Sequence, residues 1–390
     1  MRTIGVVTVA RSDYGIYLPI LRQIREAQDL ELHLIVSGMH LSPEFGSTHR
    51  VIEQDGFSIR DRVEMLLSSD SPEGVGKSIG LGVIGFAQLF ANIKLDVLLV
   101  LGDRFEMFAA VMAALAYTIP VAHLHGGEAT EGLIDESIRH SITKMSHLHF
   151  VSTETYRQRV IQMGEEPWRV THCGAPSLDN LNSISLLDKA YLETLIGMEL
   201  DLSPLLVTFH PVTLEYQDTE DHIGKLLEAL DRSGLPVVFT YPNADTSGRI
   251  IIRGIEEYVA SHTRARALEN LGTQAYFSLM GVASAMVGNS SSGIIEAASF
   301  KLPVVDIGDR QRGRVRGVNV IHADYDSRSV FEAIQVATSK TFHESLADLR
   351  NPYGNGQASK QIVDVLRKTP LDRRLLLKRF YDLEVMMREL

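Results

Sequence analysis

The chain has 390 residues with a single cysteine, 45% hydrophobic and 22% charged residues, and a formal net charge of −11. That length suits roughly two to three domains with sizeable cores, and the acidic balance argues against a general nucleic-acid surface, which needs clustered Lys and Arg. The lone Cys173 excludes an intrachain disulfide and a cysteine-based zinc site; with no signal-peptide pattern and no uncharged apolar run of ~18 residues, a reduced, cytoplasmic protein that neither spans a membrane nor binds nucleic acid is expected.

Thr3 to Val9 is a β-branched run, followed by Ala10-Arg11-Ser12-Asp13-Tyr14-Gly15 and an amphipathic stretch from Ile16 to Ala27. This reads as a buried strand, a turn and a helix. The unit recurs at Leu32 to Val36 before Gly38-Met39-His40, at Asp96 to Leu101 before Gly102-Asp103-Arg104, and at Ile119 to Leu124 before His125-Gly126-Gly127-Glu128. Strands alternating with helices predict a parallel sheet covered on both faces. After Leu148 to Val151 and Val170 to Thr171 the pattern turns polar around Asn180 to Asp188, and a domain boundary is expected there.

The alternation restarts at Leu205 to Phe209 with His210-Pro211, then Pro236 to Thr240 with Asn243, Ala285 to Val287 with Gly288-Asn289-Ser290, and Leu302 to Val305 with Asp306. The expected fold is α/β, with two Rossmann-like lobes and a cleft between the carboxyl ends of their strands. The lobes are assigned to residues 1–180 and 181–370, with a C-terminal helix over 371–390. Its Leu, Arg and Glu at helical spacing suit either packing on the first lobe or contact with a partner.

Several motifs fail on context. Gly74-Val75-Gly76-Lys77-Ser78 resembles the end of a P-loop, but Ser71 stands where the first glycine belongs and no strand leads in. Gly80-Leu81-Gly82-Val83-Ile84-Gly85 has dinucleotide spacing inside a helical pattern that runs to Phe90, so close helix packing explains it better. His123, His125 and Glu128 suggest metal ligands, since alternation puts both histidines on one face of the strand, yet neither cysteines nor a second carboxylate at ligand spacing accompanies them, and no metal is expected.

Other signals survive. Gly288 to Gly293 follows a strand and opens a helix, where unpaired N–H groups and the hydroxyls of Ser290, Ser291 and Ser292 make an anion seat. A plain serine cap would need only one of them. Glu296 stands one turn in, as a ribose acceptor or a solvated carboxylate. Arg11, Arg104 and Arg310 each follow a strand, where guanidinium forks suit phosphate. Asp103, Glu128 and Asp135 lie near strand ends in the first lobe, and carboxylates gathered in a desolvated cleft supply an acid and a base.

Together these segments, with Asp135-Glu136 through Lys144 and Gly308-Asp309-Arg310-Gln311, span about residues 10 to 314 in order. The chain resembles the hydrolysing UDP-N-acetylglucosamine 2-epimerases of bacterial sialic-acid synthesis. The resemblance implies a glycosyltransferase-B-like fold with UDP held mainly by the second lobe, no cofactor, and a homo-oligomer, dimer or tetramer. The implied reaction removes the C2 proton, eliminates UDP to give a 2-acetamidoglucal, and adds water to give N-acetylmannosamine.

Carried over by motif, Asp103, Glu128 and Asp135 are acid and base candidates supported by Arg139. Arg11, His40, Arg104, His210, Asn243, Ser290, Ser291, Ser292, Gly293, Glu296 and Arg310 would contact the nucleotide sugar, and His210 would alternatively assist departure of the diphosphate. Rival readings keep the chemistry on GDP-N-acetylglucosamine or a UDP-2,4-diacetamido-trideoxyhexose, or replace it with a glycosyltransferase or a non-catalytic nucleotide-sugar sensor.

Overall fold

The computed structural model describes residues 1–69, 71–130, 134–242, 248–268 and 271–383, and among these the apolar runs form thirteen parallel-paired strands in two sheets. The chain divides into two compact units. The first comprises Met1–Glu128, Ile134–Asp179 and the stretch from Gly356; the second is built on Asn180–Asn355.

The first unit holds β1 (Arg2–Thr8), β2 (Leu30–Ser37), β3 (Ile59–Val63), β4 (Val97–Leu101), β5 (Val121–Leu124), β6 (Leu148–Val151) and β7 (Val170–His172), in the order β3-β2-β1-β4-β5-β6-β7. The second holds β8 (Leu205–Thr208), β9 (Val237–Thr240), β10 (Ala265–Leu268), β11 (Ala285–Gly288), β12 (Val304–Ile307) and β13 (Val320–Ala323), in the order β10-β9-β8-β11-β12-β13. Each is a doubly wound sheet whose strand order reverses beside its first strand. In such sheets ligands bind at the carboxyl ends of the strands flanking the reversal, here β1 with β4 and β8 with β11.

Central strands are predominantly apolar because helices cover both faces, and β4, Val-Leu-Leu-Val-Leu with every residue buried, is wholly so. The sequence pattern omits β3, β10 and β13, three of the four edge strands. An edge strand has one covered side, and Ile-Arg-Asp-Arg-Val in β3 alternates between part-buried and exposed residues. The dinucleotide-like glycines lie inside the helix Pro72–Phe90, where a Cβ on Gly82 would stand 2.6 Å from Met65 Cε. Gly82 and Gly85 serve packing, a Cβ on Gly80 would meet nothing, and the P-loop-like segment is the first turns of the same helix.

Residues 356–370, expected in the second lobe, belong to the first unit. Helix Ala358–Lys368 sets Ile362, Val363 and Leu366 into the first core. The buried Asp179 carboxylate accepts from Ala358 N at 2.9 Å, from Ser359 N at 2.6 Å and from the Ser359 hydroxyl. These bonds tie together the points where the chain leaves and re-enters the unit.

Within the helix expected over 371–390, the described residues hold a single helical turn, Arg373–Leu376. Its carbonyls are taken: buried Arg169 donates to Leu375 O at 2.8 Å, Arg374 O at 3.0 Å and Leu377 O at 3.2 Å, so the helical ladder stops there. A strap without regular secondary structure follows to Leu383, and positions 384–390 of the expected helix lie outside the described residues. Lys378 Nζ in the strap donates to the carbonyls of Lys144 at 2.7 Å and Ser146 at 2.6 Å, and to Glu165 at 2.9 Å. No helix among the described residues is long and apolar enough to cross a membrane.

Glu165 is fully buried. Burial alone would raise its pKa, but His149, Lys378 and Lys144 outweigh it and hold the carboxyl at about 2. Because folding lowers this pKa, the ionised group contributes stability that is complete above its ordinary value of 4.5 and is lost as pH falls toward about 2. Between those values, unfolding free energy from urea titration is expected to fall more steeply in the wild type than in Glu165→Gln. Equal slopes would discount the ion pairs.

Candidate active site

β4 and β5 pair with Leu101 opposite Leu124, so Asp103 and His125 leave the sheet side by side. Helix Ile134–Met145 brings Arg139 to them, and this guanidinium is only 2% exposed. Its Nη2 donates to the Asp103 carboxylate, while Nη1 is 2.9 Å from Glu136 Oε2 and 3.1 Å from the Glu128 carbonyl. One buried cation thus joins two members of the expected constellation, Asp103 and Glu128, the latter through its backbone carbonyl, together with Glu136, as a planar fork with several donors can.

Glu128 is 3% exposed. Its Oε1 accepts from the Ser152 hydroxyl at 2.8 Å and lies 2.6 Å from His125 Nδ1. His125 has a left-handed backbone, φ 62, that is costly outside glycine. At Gly127, with φ 75, a Cβ would stand 2.6 Å from Tyr156 O, so only glycine lets the loop lie this close to its neighbour. His123 is a structural group: Nε2 is 2.7 Å from Gly102 O and Nδ1 is 3.2 Å from the Thr143 hydroxyl.

The remaining candidates of this unit lie near the β1, β2 and β4 ends. Asp135, part-exposed in its helix's first turn, acts electrostatically on Arg104. Arg104 lies across Glu106, at 3.1 Å and 3.3 Å from its two oxygens. His40 is buried, with Nε2 2.9 Å from the Thr8 hydroxyl and Nδ1 2.7 Å from that of Thr48, and burial pushes its pKa down to about 4. Arg11 is exposed at the start of helix Arg11–Glu26. Asp13, which carried no functional signal, accepts from Val9 N and Ala10 N at 2.8 Å each, and burial raises its pKa to about 6.

In the second unit the buried Asn289 organises the reversal point. Its side chain accepts from His210 N at 2.7 Å and donates to His210 O at 2.8 Å, clamping β8's end to β11's. Its carbonyl accepts from Arg310 Nη1 at 3.0 Å and Gln311 Nε2 at 2.8 Å. Burial, and then the Arg310 charge, lower the His210 pKa to about 3, so the ring is neutral, and its buried Nδ1 has no partner among the described residues.

Ser290 caps the next helix, accepting from Ser292 N at 3.3 Å. That helix is shorter than the pattern suggested: Ser291–Ile295, with Ser291, Ser292 and Gly293 in its first turn and Glu296 at its C-terminal end. Asn243 lies outside the described residues. The structure therefore joins Asp103, Glu128 and Arg139 in one unit, and His210 with Arg310 in the other. Glu136, Ser152, Asn289 and Gln311 were not singled out. Ser152 follows β6 directly, and its place at a strand's carboxyl end is the signal that points to it.

A family model described as UDP-N-acetylglucosamine 2-epimerase matches residues 22–367. The chain belongs to this family. Among similar proteins, the "GDP/UDP-N,N'-diacetylbacillosamine 2-epimerase (hydrolyzing)" of Campylobacter jejuni is 40% identical, over 98% of this chain and 99% of that one. The "UDP-N,N'-diacetylbacillosamine 2-epimerase (hydrolyzing)" of Legionella pneumophila is 36% identical, over 97% and 99%. The crystal structure of the Neisseria meningitidis UDP-GlcNAc 2-epimerase bound to UDP-GlcNAc superposes with a TM-score of 0.81 at 20% identity, covering 95% of this chain and all of that one. The last likeness speaks for the fold: two parallel α/β units, as expected. The protein is an epimerase of the hydrolysing 2-epimerase family.

Proposed function

We propose that this epimerase acts on a nucleotide-linked 2,4-diacetamido-2,4,6-trideoxyhexose, the UDP or GDP derivative of N,N'-diacetylbacillosamine, releasing the C2-epimerised sugar and the nucleoside diphosphate. The observation that carries the donor is that the Campylobacter and Legionella relatives, at 40% and 36% identity over nearly their whole lengths, both bear that substrate in their names. UDP-N-acetylglucosamine is the second reading, favoured by the description of the matching family.

The chemistry is elimination followed by hydration. A base takes the C2 proton, the C1–O bond breaks with its electron pair going to the diphosphate, and water adds across the new double bond. The Asp103, Glu128, Asp135 and Arg139 set supplies acid–base groups. In the second unit, His210 is neutral and so can donate one hydrogen bond to the departing diphosphate without an ionised ring, while Arg310 supplies fixed positive charge.

Incubation with UDP-N-acetylglucosamine, GDP-N-acetylglucosamine and the UDP and GDP forms of diacetylbacillosamine, with the released sugar identified by NMR, tests the reading. Turnover of a diacetamido donor is expected to exceed that of UDP-N-acetylglucosamine by about a hundredfold or more, because a site that pairs the C4 amide leaves its own polar groups unpaired when the amide is missing. Release of N-acetylmannosamine as the preferred product would transfer the assignment to UDP-N-acetylglucosamine.

A further inference from the structure

A neutral imidazole has one donor nitrogen and one acceptor nitrogen, and the two histidines at the end of β5 use them differently. His123 spends both on neighbours. His125 spends one. Its Nδ1 lies 2.6 Å from Glu128 Oε1, and an ionised carboxylate only accepts, so Nδ1 carries the hydrogen and Nε2 is left with its lone pair. Nε2 is buried with no hydrogen-bond partner among the described residues, in a residue only 8% exposed.

The surroundings preserve that arrangement. Ser152 donates to the same Glu128 oxygen from the end of β6 and orients the carboxylate, while Arg139 donates to the Glu128 backbone carbonyl from its helix and holds the main chain that carries it. The left-handed backbone at His125, followed by Gly126 and by Gly127 with φ 75, turns the chain back so that a residue three positions on can hold the ring. A strained backbone and an unsatisfied buried nitrogen both cost stability, and they coincide here on one residue at a strand's carboxyl end.

We infer that His125 Nε2 is the atom that takes the C2 proton, and that Glu128 is the carboxylate that orients the ring and balances its charge. This rests on the elimination chemistry proposed above. In that step the C2–H electron pair becomes the C1–C2 double bond, the C1–O pair leaves with the diphosphate, and the proton moves to Nε2. The resulting imidazolium is stabilised by the Glu128 anion at 2.6 Å, as in the carboxylate–histidine pairs of hydrolytic triads. The proton passes to solvent before the next turnover. Ser152 and Arg139 are positioning residues in this scheme.

Two measurements test it. In the free wild-type enzyme, ¹⁵N NMR of labelled histidines is expected to show His125 protonated on Nδ1 and not on Nε2; the opposite tautomer overturns the assignment without reference to any substrate. His125→Gly, which suits the left-handed backbone, is expected to lower sugar release by about a thousandfold with UDP binding kept, and added imidazole should restore at least about tenfold of it. Turnover at the wild-type rate, or a loss that imidazole does not relieve, overturns the proposal. Should the wild-type enzyme release no sugar from any nucleotide sugar, the elimination reading fails instead, and the tautomer measurement still judges the His125–Glu128 pair.

Discussion

Replacing Arg139 with methionine is expected to abolish sugar release and to cost about 3–5 kcal/mol of stability, the usual price of breaking a buried, hydrogen-bonded ion pair from one side. The guanidinium reaches the Asp103 carboxylate, Glu136 Oε2 and the Glu128 carbonyl from a position 2% exposed to solvent. Its loss leaves Asp103 and Glu136 without their shared counter-ion, and the Glu128 carbonyl without its donor. Arg139→Lys is expected to fail nearly as badly, since a single ammonium cannot present a planar fork to three acceptors on different segments. Urea titration and sugar release measured on the same preparations check both claims, and a lysine variant with wild-type turnover would show that charge alone is what the site needs.

Gly288→Ala is expected to destabilise the second unit by about 4 kcal/mol or more, because backbone strain and a clash fall on one atom. Gly288 has φ 134, and a Cβ there would lie 1.9 Å from the Thr208 carbonyl of the paired strand. Neither is a flexible side chain that can step aside. The next residue is Asn289, whose side chain clamps His210, so the displacement is expected to weaken UDP binding as well as folding. Thermal unfolding together with UDP titration calorimetry tests this, and wild-type melting with full affinity would contradict it.

How far these features were legible in the sequence depends on the distance over which their causes act. The central strands were legible because burial on both faces writes a continuous apolar run, as in β4. β3, β10 and β13 were not, because an edge position leaves half of each strand free to be polar. Asp103 and Glu128 could be picked out as residue types at strand ends, and Arg139 through the family resemblance. That one guanidinium joins them could not, since Asp103 and Arg139 are 36 positions apart in the chain. The same holds for Asn289 and His210, 79 positions apart. The tail was misread for a related reason: Arg169, some two hundred positions earlier, withdraws the carbonyls that its helical pattern would have used.

The Asp179 junction bears on how the protein is made. The bulk of the second unit, Asn180–Asn355, is one uninterrupted stretch, whereas the first unit needs segments from both sides of it. During synthesis the second unit can close on its own as soon as its strands have left the ribosome. The first unit must wait with an incomplete core until Ile362, Val363 and Leu366 arrive. Truncation within helix Ala358–Lys368 is therefore expected to yield a nascent product with one folded unit and one aggregation-prone one, and Asn180–Asn355 is the piece to express when a single unit is wanted for study.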